Sequence, residues 1–141
     1  MEPTEEIEKL IIPLLEGMNI SLVECSIGRH RGDIKVNLVL YKKDGISLEN
    51  LTEAQKVLRP RLELIYDRDK LSLEISSPGL SRTIKNINEY SIFSGRNIKV
   101  LVEENWYSGL LNGIKNNVVT LLIDGRETDF PVNNIRKARL D

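Results

Sequence analysis

Few side chains of this chain are suited to nucleophilic catalysis. His30 is the single histidine and Cys25 the single cysteine among the 141 residues. The run Gly79-Leu80-Ser81-Arg82-Thr83 resembles a nucleophile elbow but lacks the glycine required at its last position. Cys25 alternates with apolar residues on a strand pattern, as an inert core thiol does. We therefore predict that the chain is not an enzyme.

Sites for metals and for nucleotide phosphates are not indicated either. One cysteine and one histidine do not make a zinc site unless carboxylates stand at suitable spacing, and none do. Neither of the glycine-rich phosphate loops, GxxxxGK[ST] and GxGxxG, occurs in the sequence. We expect no metal and no cofactor.

Two groups of cations are the candidate binding residues. Arg29 and Arg31 stand in the glycine-bounded segment 28–33, which is typical of a hairpin loop. The second group, around the start of the C-terminal half, consists of Arg82, Lys85, Arg96 and Lys99. Cations on loops and linkers suit contacts to nucleic-acid phosphates, although ordinary solvation of surface charge is an alternative for both groups. The second group is our first choice for phosphate contact and the hairpin pair our second.

Trp106 and Tyr107 form an aromatic pair before Ser108-Gly109, on a predicted hairpin. Exposed aromatic side chains stack on nucleobases or anchor protein interfaces, and they also cover the ends of small barrels. We assign this pair to contact with a partner.

The net charge of −1 hides an asymmetry along the chain. Counting Lys and Arg against Asp and Glu gives −5 for residues 1–27, +5 for 28–99 and −1 for 100–141. The chain is therefore no general polyanion binder, but a regional basic surface fits these counts. No apolar run approaches the ~20 residues that span a bilayer, and the start is not that of a signal peptide, so we expect a cytoplasmic protein.

The N-terminal half has the periodicities of an α-β-β-α-β domain. Helical spacing of apolar residues predicts a helix over 7–18 and another over 51–65, with Ser47 as N-cap and a kink or early end at Pro60. Alternating apolar residues predict strands at 23–27, 34–40 and 71–75. The two helices are expected to cover one face of a small sheet.

The C-terminal half is a series of short strand patterns without a useful helical period. These patterns predict strands at 98–102, 109–114, 118–123 and 128–132, with tight turns at Asn116-Asn117 and Asp124-Gly125. Strands this short and closely spaced favour a small barrel of the SH3 or Sm type. Pro78-Gly79 interrupts the chain between the halves, and we predict domains 1–82 and 83–141.

Four segments carry a resemblance to a known family. They are SSPGLSR at 76–82, FSGR at 93–96, GLLNG at 109–113 and IRKARL at 135–140. On these motifs the chain resembles the bacterial ribosome maturation factor RimP family over nearly its whole length. It departs from the family pattern at Ser81, where Asp is usual, at Thr83-Ile84, where Pro-Leu is usual, and at Ile92, where Arg is common.

The resemblance implies an α+β N-terminal domain of KH-like layout joined to an Sm-like barrel. It implies a non-catalytic assembly factor, expected to be a monomer, that binds the free small ribosomal subunit during its maturation. The implied partners are small-subunit rRNA and a ribosomal protein near the decoding region. The alternative function is a standalone Sm-like RNA-binding regulator, and a ring-sized oligomer would favour it because Sm proteins usually act as rings.

Overall fold

The computed structural model describes residues 3–141, and the chain divides into two compact units between Pro78 and Gly79. The elements of the first unit are α1 (Glu5–Glu16), β1 (Ser21–His30), β2 (Asp33–Tyr41), α2 (Leu48–Leu62) and β3 (Leu71–Ser76). Those of the second unit are α3 (Asn88–Ile92), β4 (Asn97–Val102), β5 (Asn105–Lys115), β6 (Val118–Ile123), β7 (Arg126–Pro131), a 3-10 turn (Val132–Asn134) and β8 (Ile135–Leu140). The predicted α+β class is thereby confirmed.

The first unit is a three-stranded sheet in the order β1-β2-β3, and it has the predicted α-β-β-α-β sequence of elements. β1 and β2 pair antiparallel, whereas β2 and β3 pair parallel. A parallel pair needs a long crossover, and α2 supplies it. The core joins the buried faces of both helices to the alternate residues of β2, namely Ile34, Val36, Leu38 and Leu40.

Both ends of α2 follow the local sequence. The Ser47 hydroxyl accepts the amide of Asn50 at 3.1 Å, and the Asn50 side chain accepts the amide of Ser47 at 2.9 Å, so the predicted N-cap is confirmed. The helix ends at Leu62, two residues after Pro60. Residue Ile65, which the pattern assigned to the helix, lies beyond its end.

The loop predicted over residues 28–33 is much shorter in the structure. β1 and β2 pair as far as His30 and Asp33, which leaves only Arg31 and Gly32 in the turn. Their φ values of 50° and 87° are those of a two-residue hairpin turn that matches the strand twist. The six-residue loop was therefore a wrong prediction, and Arg29 lies in the sheet opposite Ile34.

The second unit is an antiparallel sheet in the order β7-β6-β5-β4-β8. The tight turns at 116–117 and 124–125 are confirmed, since all four residues have positive φ. The sequence patterns missed β8 and α3. The segment of β8 was used only as a family motif and not recognised as a strand, and the five residues of α3 are too few to show a helical period.

Two glycines shape β5. A Cβ on Gly109 would lie 2.5 Å from the carbonyl oxygen of Leu122 on the neighbouring strand, so only glycine allows this close approach. Gly113 has a φ of 96° and lies where the register shifts between Leu111 and Ile114. Such a bulge increases the local twist and bends the strand. The GLLNG motif thus has a backbone explanation.

Candidate nucleic-acid interface

The arginine of the mid-chain motif belongs to a buried ion pair. Arg82 Nε donates to Glu89 Oε1 at 2.9 Å, and only 9% of the Arg82 side chain and 1% of the Glu89 side chain are exposed. The other carboxylate oxygen accepts the backbone amides of Lys85 and Asn86, each at 3.2 Å. Arg82 therefore offers little surface to a ligand, and the geometry favours a structural role for it over phosphate contact.

The backbone around Arg82 is tied to the edge strand β8. The Arg82 carbonyl accepts the amide of Leu140 at 2.9 Å, and the amide of Ile84 donates to Ala138 at 2.8 Å. Thr83 forms an isolated antiparallel bridge to Arg139. This segment pairs with backbone groups that an edge strand would otherwise expose.

The other cations of the first-choice group lie in different surroundings. Lys85 is exposed, and its role in phosphate contact stays a prediction. Arg96 is half-buried just before β4, where its carbonyl accepts the amide of Leu111 at 2.8 Å. Lys99 lies on β4, and its ammonium group lies beside the ring of Trp106. From the sequence, we assigned Trp106 to partner contact and Lys99 to phosphate contact.

Lys99, Trp106 and Arg139 form what we call the Trp106 patch, on one face of strands β8, β4 and β5. Lys99 stands opposite Arg139, and Trp106 stands opposite Leu101, two residues along β4 from Lys99. Cross-strand partners and residues two apart share a face of a sheet. The Lys99 Nζ and the Arg139 Cζ each lie 5.3 Å from the centre of the Trp106 ring, within the range of cation–π attraction.

Arg139 is the functional candidate that the sequence reasoning missed. We used the segment 135–140 as a family motif without recognising it as a strand, so the face that its charges share with Lys99 was not apparent. The alternation of Lys137 and Arg139 with Ala138 and Leu140 was the available signal. The Arg139 Nε is buried and has no hydrogen-bond partner.

Tyr107 lies on the opposite face of β5 from Trp106, because adjacent strand residues point to opposite faces. Its ring centre lies 5.2 Å from that of Phe130, a buried residue of β7. The two aromatic residues that we assigned together to a partner are therefore separated by the sheet, and only Trp106 joins the cations.

The hairpin cations Arg29 and Arg31 lie in different surroundings. The Arg29 guanidinium lies 6.0 Å from the centre of the Tyr66 ring, at an open groove of about 810 Å³. The carboxylates lining this groove are Glu5, Glu6 and Asp67. Lys9 also lines the groove, so three carboxylates face two cations there, and this balance disfavours phosphate binding near Arg29. Arg31 is exposed in the two-residue turn.

Three further observations on residues 3–141 concern the reactivity of the thiol, metal binding and membrane-spanning helices. Burial, with a smaller effect of the Glu8 carboxylate, raises the pKa of the Cys25 thiol to about 12, which disfavours the reactive thiolate. Within residues 3–141, no three His, Cys, Asp or Glu side chains are grouped to hold a metal ion. No helix of that region has the length and apolar character needed to cross a membrane.

Comparison with known proteins gives consistent matches over both halves. The family model described as the RimP N-terminal domain matches residues 10–81. The chain is 30% identical over 135 residues to ribosome maturation factor RimP of Borrelia recurrentis, covering 96% of this chain and 94% of that protein. It is also 30% identical to the proteins of the same name from Borrelia garinii subsp. bavariensis, over 140 residues, and Borreliella burgdorferi strain ZS7, over 142. Each of these two matches covers 99% of this chain and 96% of the relative.

Proposed function

Since the chain belongs to the ribosome maturation factor RimP family, we propose that it acts by binding the free small ribosomal subunit, without catalysis, while that subunit matures. RimP is a non-enzymatic family, which agrees with the prediction that the chain is not an enzyme. Family membership places it in ribosome biogenesis and small-subunit maturation. The partners that we propose are small-subunit rRNA and a ribosomal protein near the decoding region. We propose that the protein binds them as a monomer in the cytoplasm.

The observation that carries this proposal is the Trp106 patch. It places two cations against a part-exposed aromatic ring on a sheet face, the combination that nucleic-acid-binding surfaces use for phosphates and bases. A patch with two cations makes few phosphate contacts, so it supports a modest affinity for RNA. Modest affinity suits a factor that must leave the finished subunit. Lys85 remains a further candidate phosphate contact on the same unit.

We also propose that the two units correspond to the KH-like and Sm-like folds. For the second unit, the support is the strand order, in which β4 to β7 are sequential neighbours and β8 returns to β4, as closure of a small barrel requires. For the first unit, the support is the α-β-β-α-β order. Its hairpin glycines read GxxxG and not GxxG, so RNA binding by a KH clamp is not part of the proposal.

Co-sedimentation tests the proposed function directly. Purified protein should sediment with free small subunits and much less with whole ribosomes, and the complex should weaken as salt rises. Lys85→Glu combined with Lys99→Glu should reduce the bound fraction several-fold. Lys115→Glu, a charge reversal at an exposed position at the end of β5, serves as the matched control and should leave binding unchanged.

Two outcomes would contradict the proposal. Preference for whole ribosomes would argue against a maturation role. A hexamer-sized species in gel filtration, together with binding to RNA but not to subunits, would favour the Sm-like regulator.

A further inference from the structure

We propose that the Trp106 patch binds single-stranded RNA by stacking one unpaired nucleobase on the Trp106 ring, while Lys99 and Arg139 hold the flanking phosphates. This inference rests on the proposed function and names the ligand chemistry of its principal site. It replaces our assignment of Trp106 to an unspecified partner.

The position of the ring supports stacking. Trp106 lies on β5 and Arg139 on β8, with β4 between them, yet the Arg139 guanidinium is 5.3 Å from the ring centre. The indole and this guanidinium therefore meet across β4, next to Lys99. Of the Trp106 surface, 42% remains exposed, which leaves part of the ring system available to a planar ligand.

The cations of the patch are not neutralised. In the part of the chain that the structure describes, neither Lys99 nor Arg139 has a carboxylate within ion-pair distance, in contrast to Arg82 with Glu89. The Arg139 Nε also has no hydrogen-bond partner, whereas the Arg82 Nε donates to Glu89. A guanidinium and an ammonium beside one another favour an anion with several acceptor oxygens, such as a phosphodiester.

The distribution of charge over this face favours a nucleotide over a peptide. Glu127 and Asp129 lie on β7, at the far edge of the sheet, where they bond to Asn112 and Thr120. The acids nearer the patch, Glu103 and Glu104, belong to the exposed β4–β5 turn. A nucleotide combines a planar base with an adjacent anion, and the patch combines an exposed ring with adjacent cations. An acidic peptide would use the cations but would leave the ring without a stacking partner.

The tryptophan itself provides the test, since Trp106 is the only tryptophan of the chain. The full-length protein is titrated with an oligouridine hexamer, an oligoadenosine hexamer and an abasic ribose-phosphate hexamer while the indole fluorescence is followed. We expect both base-containing hexamers to quench the fluorescence. The abasic hexamer should bind about 5- to 150-fold more weakly, which is the contribution of one stacked base.

Variants separate the ring from the charges. In anisotropy measurements with labelled oligouridine, Trp106→Leu should show the loss expected for an unstacked base, whereas Trp106→Phe should retain most of the affinity. Lys99→Gln should weaken all RNA hexamers alike and reduce the salt slope by about one. Leu110→Ala, at another exposed apolar residue on β5, is the matched control and should bind like the parent protein.

The outcomes distinguish this inference from the proposed function. Equal binding of the abasic and base-containing hexamers, or unchanged binding by Trp106→Leu, would overturn stacking while leaving co-sedimentation with free subunits intact. Quenching by a hexaglutamate peptide but not by RNA would make the patch a protein-docking site and would also overturn the inference. Base-dependent quenching without co-sedimentation would uphold stacking and contradict the proposed function.

Discussion

The Glu89 carboxylate forms an ion pair with the Arg82 guanidinium, and this pair is a physical reason for the arginine of the mid-chain motif. Both side chains are largely withdrawn from water, and the remaining carboxylate oxygen is satisfied by two backbone amides. A cation on a linker and a cation in a buried pair have the same sequence signature. The distinction depends on an acid seven residues away, on a helix too short to be recognised.

Removing this acid should cost much more stability than removing an exposed one. We expect Glu89→Ala to lower the free energy of unfolding by about 3–5 kcal/mol, because it leaves the Arg82 guanidinium buried without a counter-charge. The control is Glu74→Ala, which breaks the exposed 2.8 Å pair with Lys35 and should cost no more than about 1 kcal/mol. Urea unfolding of both variants measures the difference, and similar small losses would mean that the Arg82 pair adds little.

At the scale of elements, alternation along β5 organises the candidate site, and a glycine fixes how closely β5 packs against β6. Alternation puts Trp106 on the cationic face and Tyr107 against Phe130, although the two residues are adjacent in sequence. Gly109, two residues after Tyr107 on the same strand, allows β5 and β6 to approach closely. The alternation along β5 therefore decides which aromatic side chain joins the cations, and Gly109 sets how closely β5 packs against β6.

The spacing can be tested with two strand glycines that differ in their surroundings. We expect Gly109→Ala to destabilise the protein by about 1–3 kcal/mol, because its Cβ would meet the Leu122 carbonyl oxygen and a backbone atom cannot move aside cheaply. Gly28→Ala in β1 is the control, since a Cβ there meets nothing within 4 Å. Its stability should be unchanged or slightly higher. Chemical denaturation checks both, and equal behaviour would show that β5 and β6 adapt to the extra methyl group.

For the whole molecule, the sequence was most informative where elements are regular. Helical and alternating periods located α1, α2, β1 to β3 and most of the second sheet, and the resemblance identified the family. Three features were not predicted from the sequence, namely the two-residue turn at Arg31-Gly32, the short α3 and the strand β8. The turn and α3 contain too few residues to show a period, whereas the alternation of Lys137 and Arg139 with Ala138 and Leu140 was present but was used only as part of a family motif. The Trp106 patch combines three strands, one of them β8, so only Lys99 and Trp106 were candidates beforehand, and for separate roles.

The extent of the second unit can be tested with two fragments that differ by four residues. The contacts of Arg82 with Glu89 and Leu140 favour a unit beginning at Gly79, whereas our sequence prediction began the domain at residue 83. We expect fragment 79–141 to unfold cooperatively in urea and to give a dispersed amide NMR spectrum. Fragment 83–141 leaves Glu89 as a buried, unpaired charge and frees the amide of Leu140. It should therefore lose about 3–5 kcal/mol or fail to fold. Equal stability of the two fragments would support the boundary after Arg82, and failure of both to fold would show that the sheet depends on the first unit.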